Sequence, residues 1–276
     1  MNKIKFFLSA FVIVFTFHWA SAQQINPTDY LSSLPNNIEL DNTVKRSYQM
    51  TTDYYDYNLK GDFLNKKRVT GTITHGLNGN SVQWNDVCIS FSNTLNAEFS
   101  KGEYKDFMHN FTYIPNEEVL TQEFFNKNLP KADPHIMNLI WDALAFDALA
   151  YSYWNSLRLN EEFQAKSMNG ELKIANIGTF ENKDIRITWL GITKINDKLC
   201  AILKYSVMNN PLKVEFENIS MSGRSHYWGE IYVSLSDKQI EYANLTEDVL
   251  TDMQIKGQAN NMLGYTVRTI DLVKVK

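Results

Sequence analysis

After Pro134 the chain reads HIMNLIWDALAFDALAYSYWNSL, more than twenty residues without a Gly or Pro. Asp133 is placed to cap the amino end of this segment, with Pro134 at the first helical position. At 100° per residue, Asn138, Asp142, Ala145, Ser152 and Ser156 form a narrow polar stripe, and most other positions are apolar. A helix so nearly apolar all round must be covered on most sides. Its two Asp residues argue against a membrane span. The chain must therefore build something around this rod.

The flanking sequence supplies strands. Tyr- and Thr-rich runs occupy 44–112, broken by turn signals at Lys60-Gly61-Asp62 and Asn78-Gly79. Helical character holds over 116–158, where Asn116-Glu117-Glu118 opens a short helix before the long one. Strands return over 171–275, punctuated at Asn169-Gly170, Asn196-Asp197, Asn209-Asn210-Pro211, Ser222-Gly223 and Ser236-Asp237. Leu199, Ala201, Leu203, Tyr205 and Val207 alternate onto one face. The expected fold class is α+β: a large, curled, half-barrel-like antiparallel sheet, with a central buried helical block inserted between two groups of strands. We expect one domain over 44–276, preceded by a loose Pro-, Asn- and Ser-containing lead-in at 23–43.

This order of strands, helices and strands resembles the half-barrel periplasmic lipid carriers of the LolA/LolB type over roughly Val44–Lys276. The resemblance is one of pattern, with no shared residue motif. It implies a sheet whose concave apolar side is lidded by helices, and an apolar or lipid-like ligand held between them. No site residue is transferred from that family.

The first 22 residues read as a secretion signal. Lys3 and Lys5 form a positive start, Phe6 to Phe17 is almost wholly apolar, and Ala20-Ser21-Ala22 satisfies the small-residue rule for cleavage before Gln23. The apolar run is shorter than the ~20 residues that cross a bilayer. The expected mature chain is exported, periplasmic or secreted, and is not an integral membrane protein. Across the full chain 27 Lys and Arg face 31 Asp and Glu, a formal charge of −4. Without a basic run, nucleic acid is a poor partner. Three glycosylation-type triplets begin at Asn110, Asn218 and Asn244, as expected by chance in an Asn-rich chain. Cys88 and Cys200 both sit in strand-like runs and read as small buried hydrophobes rather than a disulfide framework.

No HExxH, CxxC, GxSxG, P-loop or EF-hand loop is present. The chemistry-bearing residues concentrate in 226–247. A two-residue turn at Ser236-Asp237 would place Val233 opposite Ile240, Ile231 opposite Tyr242, Tyr232 opposite Glu241 and His226 opposite Glu247. Then His226, Trp228, Glu230, Tyr232, Glu241 and Glu247 share one face, while Tyr227, Ile231, Val233, Ile240 and Tyr242 share the other. His226 beside Glu247 could serve as an acid/base pair. With Glu230 they could hold a divalent metal, although the spacing does not require one. The plainer reading is the solvent face of an edge hairpin, with Trp and Tyr covering their neighbours; the functional alternative is a polar, aromatic ligand platform of Trp228, Tyr232 and Glu241. Asp147, on the apolar side of the long helix, must find a donor such as Arg186 or Arg268, or stay protonated. It joins the ligand-binding set.

Asp53-Tyr54-Tyr55-Asp56-Tyr57 mimics a sugar-contacting surface but is also ordinary strand sequence. His75 precedes a Gly/Asn turn and is expected to be exposed; His109 and His135 flank the helical block, and His135 at a helix start reads as a surface residue rather than a ligand. Catalytic and metal residues are set at none, and no cofactor is implied. Binding of an apolar small molecule ranks first. A structural or partner-binding envelope protein comes second, and a glycan or lipid hydrolase using His226 with Glu230 or Glu247 third. The export reading is checked by mass spectrometry of protein collected outside the cytoplasm, whose chain should begin at Gln23.

Overall fold

The computed structural model describes residues 40–174, 178–216, 218–258 and 261–275. The expected signal at 1–22 and most of the lead-in at 23–43 lie outside the described residues. Three strands come first: β1 (Arg46–Asn58), β2 (Phe63–Leu77) and β3 (Ser81–Ser92). Short edge strands β4 (Glu103–Tyr104) and β5 (Phe111–Tyr113) follow, then helices α1 (Gln122–Asn128) and α2 (Pro134–Tyr151). After β6 (Glu162–Gln164) and β7 (Gly170–Ile174) comes a meander of β8 (Gly178–Ile195), β9 (Lys198–Asn209), β10 (Pro211–Phe216), β11 (Ile219–Ser234), β12 (Ile240–Ile255) and β13 (Met262–Lys274). The result is a large curled antiparallel sheet that does not close into a barrel, with the helical block inserted between its two strand groups.

Antiparallel pairing of β13 with β1, from Tyr48↔Lys274 to Asn58↔Gly264, joins the two strand groups. Local turn chemistry builds the hairpins. Asn78 and Gly79 between β2 and β3, and Asn196 and Asp197 between β8 and β9, adopt positive φ, the backbone demanded by tight right-twisted hairpins.

Two expected turns are something else. Asn209-Asn210-Pro211 does not reverse the chain. β8 pairs in one register with both β9 (Lys183↔Asn209) and β10 (Phe180↔Leu212). β9 and β10 therefore form one line between β8 and β11, with a bulge against β11 at which the Asn210 carbonyl accepts the Ser225 N–H at 3.1 Å. Ser222-Gly223 lies inside β11.

Concave rows of side chains run across the sheet. One comprises Ile187, Tyr205, Gly229, Leu245, Ile270, Thr52 and Val69, each on a different strand. The next comprises Trp189, Leu203, Ile231, Ala243, Leu272, Met50 and Gly71. Most of these side chains are buried. Helix α2 supplies the facing layer, burying Ile136, Leu139, Ile140, Ala143, Phe146, Leu149 and Ala150. Each fully buried side chain of this size contributes about 1.5–3 kcal/mol, so the helix is held chiefly by this face.

Asp133 caps α2 as its sequence predicts, accepting the N–H groups of His135 (2.9 Å) and Ile136 (3.1 Å). The segment before α2 covers part of its far side: Trp141 donates to the Val119 carbonyl at 3.1 Å and meets Phe125 edge-on at 5.6 Å. The regular helix stops at Tyr151, and beyond it Trp154 stacks on Trp189 of β8 at 6.4 Å.

Gly229 marks a close approach. The Tyr205 ring crosses over it to donate to the Asn244 carbonyl at 2.7 Å, and an added Cβ would clash with that backbone carbonyl and lie 2.7 Å from the Tyr205 hydroxyl. Gly229→Ala should destabilise the fold by about 1–3 kcal/mol, read from urea midpoints, because the β12 backbone at Asn244 and the Tyr205 ring both have to give way.

Candidate functional site: the concave face and its two polar ends

The concave face is apolar in its middle and charged at both ends. At one end the row Ile185, Val207, Tyr227, Glu247, Arg268, Tyr54 and Lys67 crosses the sheet. Arg268 stands between two carboxylates. It donates through Nη1 to Asp142 of α2 at 2.5 Å and through Nε to Glu247 of β12, whose other oxygen accepts from the Ser225 hydroxyl. All four side chains are buried. The Arg268 guanidinium also approaches the Tyr54 ring at 5.8 Å. Burial pushes the Asp142 carboxyl up to about 6, Arg268 opposing and Glu247 reinforcing. One cation cannot fully offset two carboxylates in a dry site, so the first proton taken up near pH 6 settles on this group.

At the other end Arg46 and His75 face each other across β1 and β2. Tyr48 packs edge-on against His75 at 5.6 Å, and His75 Nδ1 lies 3.6 Å from Asp147 Oδ2. Burial, with help from Arg46, pulls the His75 imidazole down to about 3, so it is neutral at physiological pH. Burial raises Asp147 to about 6 against the pull of Arg46, although 29% of its side chain stays accessible. Nearby, Glu241 is 2% exposed and accepts from Lys198 at 3.0 Å and Lys274 at 2.6 Å. Four buried polar atoms in this helix–sheet layer make no well-formed hydrogen bond: Thr52 Oγ1, Tyr48 Oη, which faces only the donor Arg46, Tyr151 Oη, which faces only the Ile240 N–H, and Trp84 Nε1, beside the Tyr113 hydroxyl.

The register differs from the sequence expectation. Ser236 and Asp237 belong to a longer loop, closed by Ser234 N–H on the Gln239 carbonyl at 2.9 Å. Val233 does face Ile240, but Glu241 is then an extra residue, and Tyr232 faces Tyr242. Every pair beyond the bulge shifts by one: Tyr227 faces Glu247 and His226 faces Asp248. His226 and Glu247 therefore lie on opposite faces of the sheet.

On the convex face, His226 Nδ1 is 2.7 Å from Arg224 Nη1, which also donates to Asp248 at 2.8 Å. Glu230 shares this face with His226 but sits four residues along, about 13 Å away. Its carboxylate takes the Tyr232 hydroxyl at 2.6 Å and pushes that phenol up to about 12. Tyr232 packs on Tyr242 at 5.6 Å, and Tyr242 donates to Asp271 at 2.6 Å.

The structure thus groups Trp228, Glu230 and Tyr232 on the convex side and places Glu241, Glu247 and Asp147 on the concave side. The four residues expected to form one ligand set, Trp228, Tyr232, Glu241 and Asp147, are not brought together. The hydrolase arrangement loses its geometry, because Glu247 cannot reach a bond served by His226. Among the described residues no group of three His, Cys, Asp or Glu side chains could hold a metal ion.

Other expectations are also corrected. His75 is buried, because it continues the concave alternation of β2 through Val69 and Ile73. Asp142, read as part of the polar stripe, faces the sheet and takes Arg268, whereas Asp147 has no ion pair with Arg186 or Arg268. Asp53 to Tyr57 alternate between faces: Asp53 takes both Arg68 nitrogens at 2.7 Å, while Tyr54 points at α2 and packs on His135 at 5.0 Å. Cys88 and Cys200 are free thiols as expected, and burial pushes Cys200 up to about 11, but Cys88 is only half-buried. Arg46, Tyr48 and Tyr151 were missed. The signal for the first two was alternation with Met50, Thr52 and Tyr54 on one face of β1.

No family model and no curated protein matches the chain. Among solved structures, one described as lipid–protein interactions in lipovitellin overlaps 87% of this chain at 11% identity and a TM-score of 0.37. The chain spans 26% of that protein's length. A second, described as a receptor binding domain, overlaps 84% of this chain and 81% of its own at 11% identity and a TM-score of 0.13. Neither overlap is close enough to assign a function. No helix among the described residues is long and apolar enough to cross a membrane.

The raised Asp142 carboxyl fixes a sign. A folded value above the usual 3.8 means that the native state holds the proton more tightly, so ionisation of this group removes stability as pH rises from 3.8 to about 6. Relative to Asp142→Asn, the natural chain should lose about 3 kcal/mol across that window. Urea unfolding at pH 4, 5, 6 and 7 measures this, and parallel curves for the two proteins would contradict it.

Proposed function

We propose that this is an exported envelope protein that holds an apolar, lipid-like ligand on the concave face of its curled sheet, beside α2. One observation carries the reading: the apolar concave face continues past its helical cover. α2 meets the sheet at Tyr54, Arg268 and His75, none of them beyond the Asp142–Arg268–Glu247 row. Past that row β8 and β10 to β12 extend further, and the bulge at Asn210 keeps their apolar side chains on the concave side. There Phe180, Leu212, Val214, Met221, Met253 and Ile255 are only half-buried.

Dimensions support this reading. An 18-residue helix is about 27 Å long, whereas a 16-residue strand spans about 53 Å. A trough with apolar walls and a few placed polar groups is the usual form of a small-molecule site. The signal-like first 22 residues and the resemblance to half-barrel carriers agree with a role in moving or presenting an apolar molecule outside the cytoplasm.

Native mass spectrometry of the full chain from its own host should reveal a bound apolar small molecule. The ligand-free protein should bind N-phenyl-1-naphthylamine with a rise in fluorescence. The double variant Met221→Asp, Met253→Asp should keep its melting temperature within a few degrees and lose at least tenfold in probe affinity. A ligand-free native protein that takes up no probe, or equal uptake by the double variant, would remove the reading. Capture of a protein partner by the same strip would favour the interaction role instead.

A further inference from the structure

The opposite end of the concave face holds more buried donors than acceptors. Arg46 is 5% exposed and makes no ion pair within 4 Å among the described residues. Its guanidinium carries five N–H donors, yet its bonds are two long ones, to the Val44 carbonyl at 3.4 Å and Asn42 Oδ1 at 3.5 Å. Beside it the Tyr48 hydroxyl, 2% exposed, faces the Arg46 guanidinium, itself a donor, and finds no acceptor; the Tyr151 hydroxyl from α2 faces the Ile240 backbone N–H and finds none either. A buried guanidinium and two buried phenols without acceptors are costly unless something supplies acceptor oxygens.

We propose that Arg46, Tyr48 and Tyr151 form a binding site for a carboxylate, closed on one side by the neutral ring of His75. A planar carboxylate matches the guanidinium fork and has lone pairs to spare for two phenols. Asp147 decides between oxyanions. Its carboxyl sits 3.6 Å from His75, on the same helix as Tyr151 one turn away, so it adds negative charge to the site's edge. One guanidinium can offset a single charge there, and a phosphate dianion would be opposed by Asp147. The raised Asp147 carboxyl agrees, since a partly protonated neighbour tolerates a bound anion better than an ionised one. The site does not depend on the apolar strip, from which the Asp142–Arg268–Glu247 row separates it. Its carboxylate can belong to a small free acid or to the head of an acyl chain.

The test uses the full chain with 13C-carboxyl acetate and 13C-carboxyl palmitate, followed by 13C NMR, and inorganic phosphate as competitor. A distinct bound carboxyl resonance is expected. Arg46→Met should weaken binding by at least about tenfold, and Tyr48→Phe with Tyr151→Phe by about three- to tenfold. Binding of both acids marks a small-acid site, and binding of palmitate alone marks an acyl head site; either supports the proposal. The Met221→Asp, Met253→Asp chain should bind acetate unchanged, so failure of this site and failure of the apolar trough are told apart. Binding of neither acid, displacement by phosphate at lower concentration than acetate, or equal binding by the Phe pair would overturn the proposal. The Phe pair decides if Arg46→Met does not fold, since it removes only hydroxyls that lack acceptors.

Discussion

A single guanidinium between two carboxylates fixes how the helix sits on the sheet. Arg268 comes from β13, Asp142 from α2 and Glu247 from β12, and all three are buried. Apolar contacts alone would let a helix so uniformly greasy slide or rotate over the concave face, because one Leu or Ala serves about as well as the next. A buried ion pair with strict geometry admits one position, since any other leaves a charge unpaired at a penalty of several kcal/mol. The row also divides the concave face. On one side lies the tightly packed layer under α2, and on the other the apolar strip of β8 and β10 to β12.

The second constraint is the phase of the strands. Bulges at Asn210 and Glu241 each insert one residue, and each flips which side chains face inward beyond it. The Asn210 bulge is matched by Asp184 at positive φ on the neighbouring strand, so β8 and the β9–β10 line change phase together and stay in register. This brings Asn182 inward, where it accepts from Tyr227 and Asn210 at 3.0 Å, and turns Phe180, Leu212 and Val214 towards the concave side. The Glu241 bulge turns Glu247 to the face opposite His226, and because β12 and β13 keep one register throughout, Arg268 shares that face with Glu247. Without it Glu247 and its cross-strand partner Arg268 would lie on the side of His226, away from Asp142 of α2.

Much of the architecture was legible in the chain. The Asp133-Pro134 start of α2, the Asn78-Gly79 and Asn196-Asp197 hairpins and the order of strands, helices and strands all rest on local backbone preferences, which a sequence displays directly. The concave alternation of β9 was legible for the same reason. The candidate site was far less so. His75 reads as a turn-proximal surface residue until β1 is laid beside it with Arg46 and Tyr48 on the same face. Asp142 and Asp147 are both acidic residues in one greasy helix, and nothing local says which of them meets an arginine. That depends on where β13 crosses beneath the helix.

The residues by themselves determined that a long apolar helix would exist, that strands would flank it, and that the helix would need cover on most sides. Periodicity and capping are properties of neighbours along the chain, so they survive without knowledge of the fold. Tertiary structure alone decided which charges are buried together and which face each polar side chain serves. A one-residue bulge reverses inside and outside for every position after it, and the choice to bulge is made by partners more than a strand away.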